Sequence, residues 1–135
     1  MTYQEKIAFL RSYRQAVHRQ EIIAQEIEEL RCQAAWVTQA LTGMPGGGDG
    51  QALPRAVERI METQMLLAAE AVRAVNVHDQ VKAAIDGVAD PLRRDILTRR
   101  YILGQRWERI AADNNFTLRR VLQLHRSTVD RMEIA

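Results

Sequence analysis

An all-α fold is predicted, built as a long antiparallel helical hairpin followed by three short helices. Three observations carry this. Apolar residues recur at alternating spacings of four and three over two long stretches. Five of the seven glycines fall in one segment between those stretches, Thr42 to Gln51. A cap-like Asp90-Pro91 then opens a series of shorter amphipathic helices.

The first long helix carries its repeat at Phe9, Tyr13, Ala16, Gln20, Ile23, Ile27, Leu30, Ala34, Val37 and Leu41. The second carries it at Leu53, Val57, Ile60, Gln64, Leu67, Ala71, Ala74, His78, Val81, Ile85 and Val88. Strong helix formers fill the positions between. Each helix should be roughly 50–60 Å long at ~1.5 Å per residue. The glycine segment is read as a loop, since no strand precedes it and no Gly-Lys-Ser/Thr follows, as a phosphate cradle would need. A short connection makes the helices antiparallel neighbours.

Setting Leu41 opposite Leu53 makes Phe9 face Ile85, Ile23 face Ala71 and Ile27 face Leu67. Gln20 then faces Ala74, Gln64 faces Leu30, and His78 faces Ala16. Met61, Met65, Ala68, Val72 and Val75 form a second apolar stripe, and Ile7, Leu10, Val17 and Trp36 lie off the first seam. This surplus needs a further partner. A second copy forming a four-helix bundle is expected, and packing against the C-terminal helices of the same chain is the alternative.

The domain boundary is expected at Asp86 to Pro91, giving a hairpin over residues 1–88 and a second domain over 89–135. Helices are expected at about Pro91–Leu103, Arg106–Asp113 and Leu118–Met132. Gly104 ends the first of these. In the second, Trp107, Ile110 and Ala111 face inward. Asn115 suits the left-handed turn that follows, Phe116 is expected to be buried, and Thr117 caps the last helix. Val121 and Leu124 point inward. Leu118, Arg119, Leu122, Gln123 and Arg126 then point to solvent, with Arg120 and His125 beside them.

Charge divides with the domains. Residues 1–90 hold 9 Lys+Arg against 12 Asp+Glu, while residues 91–135 hold 10 Arg against 5 Asp+Glu. Such asymmetry suggests a polyanion partner for the basic part. Arg pairs bidentately with guanine and Gln with adenine. Helix, turn and capped basic helix together read as a helix-turn-helix unit for duplex DNA. Its expected contact residues are Thr117, Leu118, Arg119, Arg120, Gln123, Arg126, Arg106 and Arg100. Arg99, Arg100, Arg106 and Arg109 would hold phosphates, which position a protein without reading sequence. Arg109 could equally form a surface ion pair. His125 could contact phosphate or serve packing.

The run Arg100-Tyr101-Ile102, Trp107-Glu108-Arg109-Ile110-Ala111, Phe116-Thr117-Leu118-Arg119-Arg120-Val121 and Leu124-His125 resembles the C-terminal part of the ArpU/RinA-type phage transcriptional regulators. That part is similar to region four of sigma factors, which binds promoter −35 elements. The resemblance implies a phage or prophage origin and a role in activating late or packaging genes. It departs from the family at Asn114, at Asn115 in place of Gly, and at the apolar Leu118 and Leu122.

The sequence gives no case for an enzyme or a cofactor. His18, His78, His125 and Cys32 are widely separated and lack metal-ligand spacing. Glu28-Glu29 reads as solubilising charge. The lone cysteine excludes an intramolecular disulfide and fits a reduced cytoplasmic compartment. No apolar run reaches the ~20 residues of a membrane span. A sequence-specific transcription regulator acting as a homodimer is therefore expected, with RNA polymerase as a further candidate partner. A DNA-packaging or assembly protein and a helical protein-interaction adaptor are the alternatives.

Overall fold

The computed structural model describes residues 1–43 and 50–134. Every regular element among them is helical: α1 (Tyr3–Gly43), α2 (Ala52–Asp86), α3 (Pro91–Leu97), a π-helical turn (Thr98–Ile102), α4 (Trp107–Asp113) and α5 (Leu118–Arg131). Most of the glycine-rich loop, residues 44–49, lies outside the described residues, as does the Leu41 side chain expected opposite Leu53.

Local sequence sets the helix ends. Thr2 and Glu5 cap α1 reciprocally: the Thr2 amide donates to Glu5 Oε2 at 2.7 Å and the Glu5 amide to Thr2 Oγ1 at 3.2 Å. Asp90 caps α3 by accepting from the Leu92 amide at 3.0 Å, with Pro91 at the first helical position. Gly104 leaves the π turn at φ 70°. Asn115 follows α4 at φ 57°, a left-handed conformation that Asn tolerates better than most residues. Gly87 follows α2 without that conformation.

The two long helices pack against each other, antiparallel. Ile7 and Leu10 of α1 share one buried cluster with Val81 and Ile85 of α2, and Tyr13 meets the His78 ring edge-on at 4.9 Å. The seam expected on α1 lies inward: Ala16, Ile23 and Ile27 are buried, and Phe9, Tyr13, Gln20, Leu30, Ala34 and Val37 are half-buried. On α2 only part of the expected seam does so. Ile60, Leu67, Ala74 and Val81 turn inward, but Val57 and Gln64 are exposed, and Ala56, Thr63 and Val77 are half-buried beside the seam instead. This orientation keeps the Gln64 amide in water, which avoids the cost of burying it against leucine. It also turns Glu70 inward, where Arg19 reaches it at 3.5 Å.

Two compact units result, residues 1–16 with 74–135, and residues 17–73. The division expected at 88/89 is thus a change of element, while the packing divides at 16/17 and 73/74. The ends of α1 and α2 belong with the short helices, which explains the off-seam Ile7 and Leu10. Both are buried in a cluster with Leu97, Tyr101, Val129 and Met132. Met61, Met65, Ala68, Val72 and Val75 remain exposed.

A second cluster joins Ile96, Ile110, Ala111, Val121 and Leu124, with Leu92, Trp107 and Phe116 partly buried against it. α5 serves both clusters. His125, read from sequence as lying beside the outward face, is buried between them, and Tyr101 Oη lies 2.6 Å from its Nε2. Its ring also meets Trp107 edge-on at 4.7 Å. The helical period explains the correction, since His125 follows Leu124 and precedes Thr128 and Val129 on one buried face. Widening of the helix at residues 98–102 turns Tyr101 inward; its mark is a bond from the Leu103 amide to the Thr98 carbonyl at 3.1 Å. Arg93 ties α3 to α5 through Ser127 Oγ at 2.6 Å and Thr128 Oγ1 at 2.9 Å.

Burial, aided by the charges of Arg100 and Arg11, pushes the His125 imidazole down to about 4, and burial pushes the Tyr101 phenol up to about 12. Both are neutral at pH 7. A free imidazole titrates near ~6.5, so protonation favours the unfolded chain. Stability is full above that pH and declines as pH falls toward 4, by on the order of 3 kcal/mol in total. The stability difference between wild type and His125→Gln, followed by urea denaturation between pH 7.5 and 4.5, should carry this slope. Parallel pH profiles for the two proteins would show that His125 is not held neutral.

Candidate nucleic-acid interface

α4, the turn at residues 114–116 and α5 form a compact pair of helices with a fixed connection. The Phe116 amide donates to the Ala111 carbonyl at 2.9 Å, and Asn114 Nδ2 to the Ile110 carbonyl at 2.9 Å. These bonds satisfy carbonyls that the end of α4 leaves open. Phe116, expected to be buried, is half-buried. Thr117 caps α5 by accepting from the Arg120 amide at 3.1 Å.

The outer face of α5 carries most of the residues singled out from sequence. Thr117, Leu118, Arg119, Arg120, Gln123 and Arg126 are all exposed. Leu118, Arg119, Leu122, Gln123 and Arg126 line one open groove along it. Arg119 and Arg120 make no side-chain hydrogen bond or ion pair among the described residues, and Gln123 likewise has no partner there. Arg126 is engaged: its guanidinium sits 4.2 Å from the centre of the Tyr3 ring, and its Nε is 3.7 Å from Asp130.

The arginines of α3, the π turn and α4 divide into held and free. Arg99 pairs with Asp95 and Asp113, each at 2.9 Å, and these carboxylates raise its already high affinity for its proton, Asp95 most. Arg109 lies 3.7 Å from Asp113, so the ion-pair alternative describes it. Arg100 is half-buried, donates to the Gln105 carbonyl at 3.1 Å and stacks over Trp107 at 4.6 Å. Arg106 is exposed at the start of α4 and has no side-chain partner among the described residues.

Sequence reasoning missed Arg11 and Arg14. They lie on α1, in a region of net negative charge, and only packing brings them beside Arg100, Tyr101 and Gly104. Among the described residues, no group of three or more His, Cys, Asp or Glu could hold a metal ion, and no helix is long and apolar enough to cross a membrane. No family model matches the chain, and neither a curated protein nor a solved structure matches it.

The Thr117 cap sets where α5 begins and so where Arg119 and Arg120 stand. Thr117→Ala should lower stability by about 1 kcal/mol, and Thr117→Ser should largely retain it. Equal urea midpoints for wild type and Thr117→Ala would remove the cap from the account.

Proposed function

We propose that the chain is a sequence-specific duplex-DNA-binding regulator of phage or prophage transcription, using α4 and α5 as a helix-turn-helix. The observation that carries this is the free pair Arg119 and Arg120 in the first turn of α5, with Gln123 one turn on along the same exposed surface. Among the described residues no acid pairs with Arg119 or Arg120, and the chemistry of these three side chains suits guanine, adenine and phosphate. Arg106, at the start of α4, is the matching candidate for a phosphate contact. The resemblance to the ArpU/RinA-type regulators supports the transcriptional part and makes RNA polymerase a candidate partner.

A second reading, protein contact through α5, is favoured by one observation. Leu118 and Leu122 are 40% and 39% exposed in the groove that holds the arginines. Leucines can also meet thymine methyl groups, so duplex binding accommodates them.

Dimerisation through α2 forms part of the proposal. Met61, Met65, Ala68 and Val72 make an exposed apolar stripe at helical spacing. A second copy laid antiparallel about Ala68 sets Met61 beside Val75 and Ala68 beside its own copy, with Glu62 one residue from facing Arg73. Glu62 and Arg73 are exposed and have no partner among the described residues. The pairing is self-complementary, as a two-fold interface requires, and would present two recognition helices to two half-sites.

Genomic pull-down with sequencing should recover a defined set of promoter-proximal duplexes. On such a duplex, Arg119→Ala with Arg120→Ala should weaken binding by about tenfold or more and flatten its dependence on salt. Unchanged affinity and salt slope would place the DNA contact elsewhere or nowhere. By sedimentation, Met65→Glu should convert a dimer to a monomer. A wild-type monomer at the same concentration, or a ring of many copies, would exclude the dimer.

A further inference from the structure

A second basic site lies away from the outer face of α5, at a cavity of about 220 Å³ lined by Arg11, Arg14, Arg100, Tyr101 and Gly104. Arg11 and Arg14 are one helical turn apart on α1, so they share a face. Arg100 comes from the π turn. No carboxylate lines the cavity. Among the described residues, Arg14 donates to the Ile102 carbonyl at 3.4 Å and Arg100 to the Gln105 carbonyl at 3.1 Å, with no carboxylate partner for either. Arg11 is exposed and has no partner among the described residues. Carbonyl oxygens satisfy a donor without cancelling its charge. Three arginines line one cavity that has no carboxylate among its lining residues, unlike the Arg–Asp pairs of Arg93, Arg99, Arg109 and Arg126.

Gly104 makes room for the cluster. A Cβ at this position would lie 2.7 Å from the Arg14 guanidinium carbon. Its φ of 70° would also strain a larger residue. The absence of a side chain thus lets the Arg14 head group lie against the backbone. Tyr101 cannot supply a counter-charge, because its phenol is neutral and shares its hydrogen bond with His125. The chemistry that fits is a compact, multiply charged oxyanion with acceptor oxygens for several guanidinium forks.

We propose that the Arg11–Arg14–Arg100 cavity is a binding site for a phosphate group. Two sources supply that chemistry: a backbone phosphate of bound duplex, which rests on the reading above, and a free phosphate compound, which does not. In the first case α1 adds a backbone clamp to the contacts of α5. In the second the site is a ligand pocket in its own right.

The test uses the full chain in two arms. Inorganic phosphate is titrated at constant ionic strength, with chloride as the balancing anion, while arginine side-chain NMR signals are followed. Saturable shifts of the Arg11, Arg14 and Arg100 signals, abolished in the exposed-site variant Arg11→Glu, are expected. In the other arm, duplex affinity is measured across salt for wild type and Arg11→Ala. A log–log slope reduced by about one assigns the site to a DNA phosphate, whereas an unchanged slope with phosphate binding intact assigns it to a free phosphate compound. Loss of duplex binding in every protein, with phosphate still bound, would sink the DNA reading and leave this one standing. No saturable phosphate shifts together with wild-type duplex binding by Arg11→Ala would overturn it.

Discussion

α5 is gripped from two sides, and the buried hydrogen bond between Tyr101 and His125 sits where the two grips meet. Toward its start, Val121 and Leu124 lock into the cluster with Ile96 and Ile110. Toward its end, Val129 and Met132 lock into the cluster with Ile7, Leu10, Val81 and Ile85. A helix held this way has one face left for other work, and that face carries Arg119, Arg120 and Gln123. The polar pair at the junction is tolerated because each partner satisfies the other. Left alone, either would be a buried group without a partner, at about 1–3 kcal/mol. The position of the free arginines thus depends on the same contacts that close the core.

Much of this arrangement was legible from residue pattern. The α1 repeat, the Asp90-Pro91 start, the Gly104 and Asn115 turns and the Thr117 cap are local features, and each appears where local chemistry places it. What escaped depended on contacts distant in sequence. The burial of His125 requires Tyr101, which the π-helical turn turns inward, and nothing in the Thr98–Ile102 composition announces that widening. The α2 seam moved at Val57 and Gln64, because a heptad pattern leaves the rotation of a helix open when polar residues occupy its stripe. Arg11 and Arg14 were invisible as site residues, since their meaning arises only beside Arg100 and Gly104.

Charge has three fates in this chain. Arg99 is paired with Asp95 and Asp113, and Arg109 shares Asp113, which links the π turn to α4. Arg93 and Arg126 are used as struts, one across to Ser127 and Thr128, the other over Tyr3. Arg119, Arg120, Arg106 and Arg11 are left without partners among the described residues. Surface ion pairs contribute little to stability, so leaving arginines free costs the fold little. It leaves their donors available for phosphate or base edges, and this separation of held from free arginines is the physical basis of the DNA-binding proposal.

The most direct measurement is chemical-shift mapping of the isotopically labelled chain titrated with a duplex recovered by genomic pull-down. The account predicts that the largest perturbations fall on Thr117, Arg119, Arg120 and Gln123. Perturbations confined to the exposed stripe of α2, or none at low salt, would contradict it.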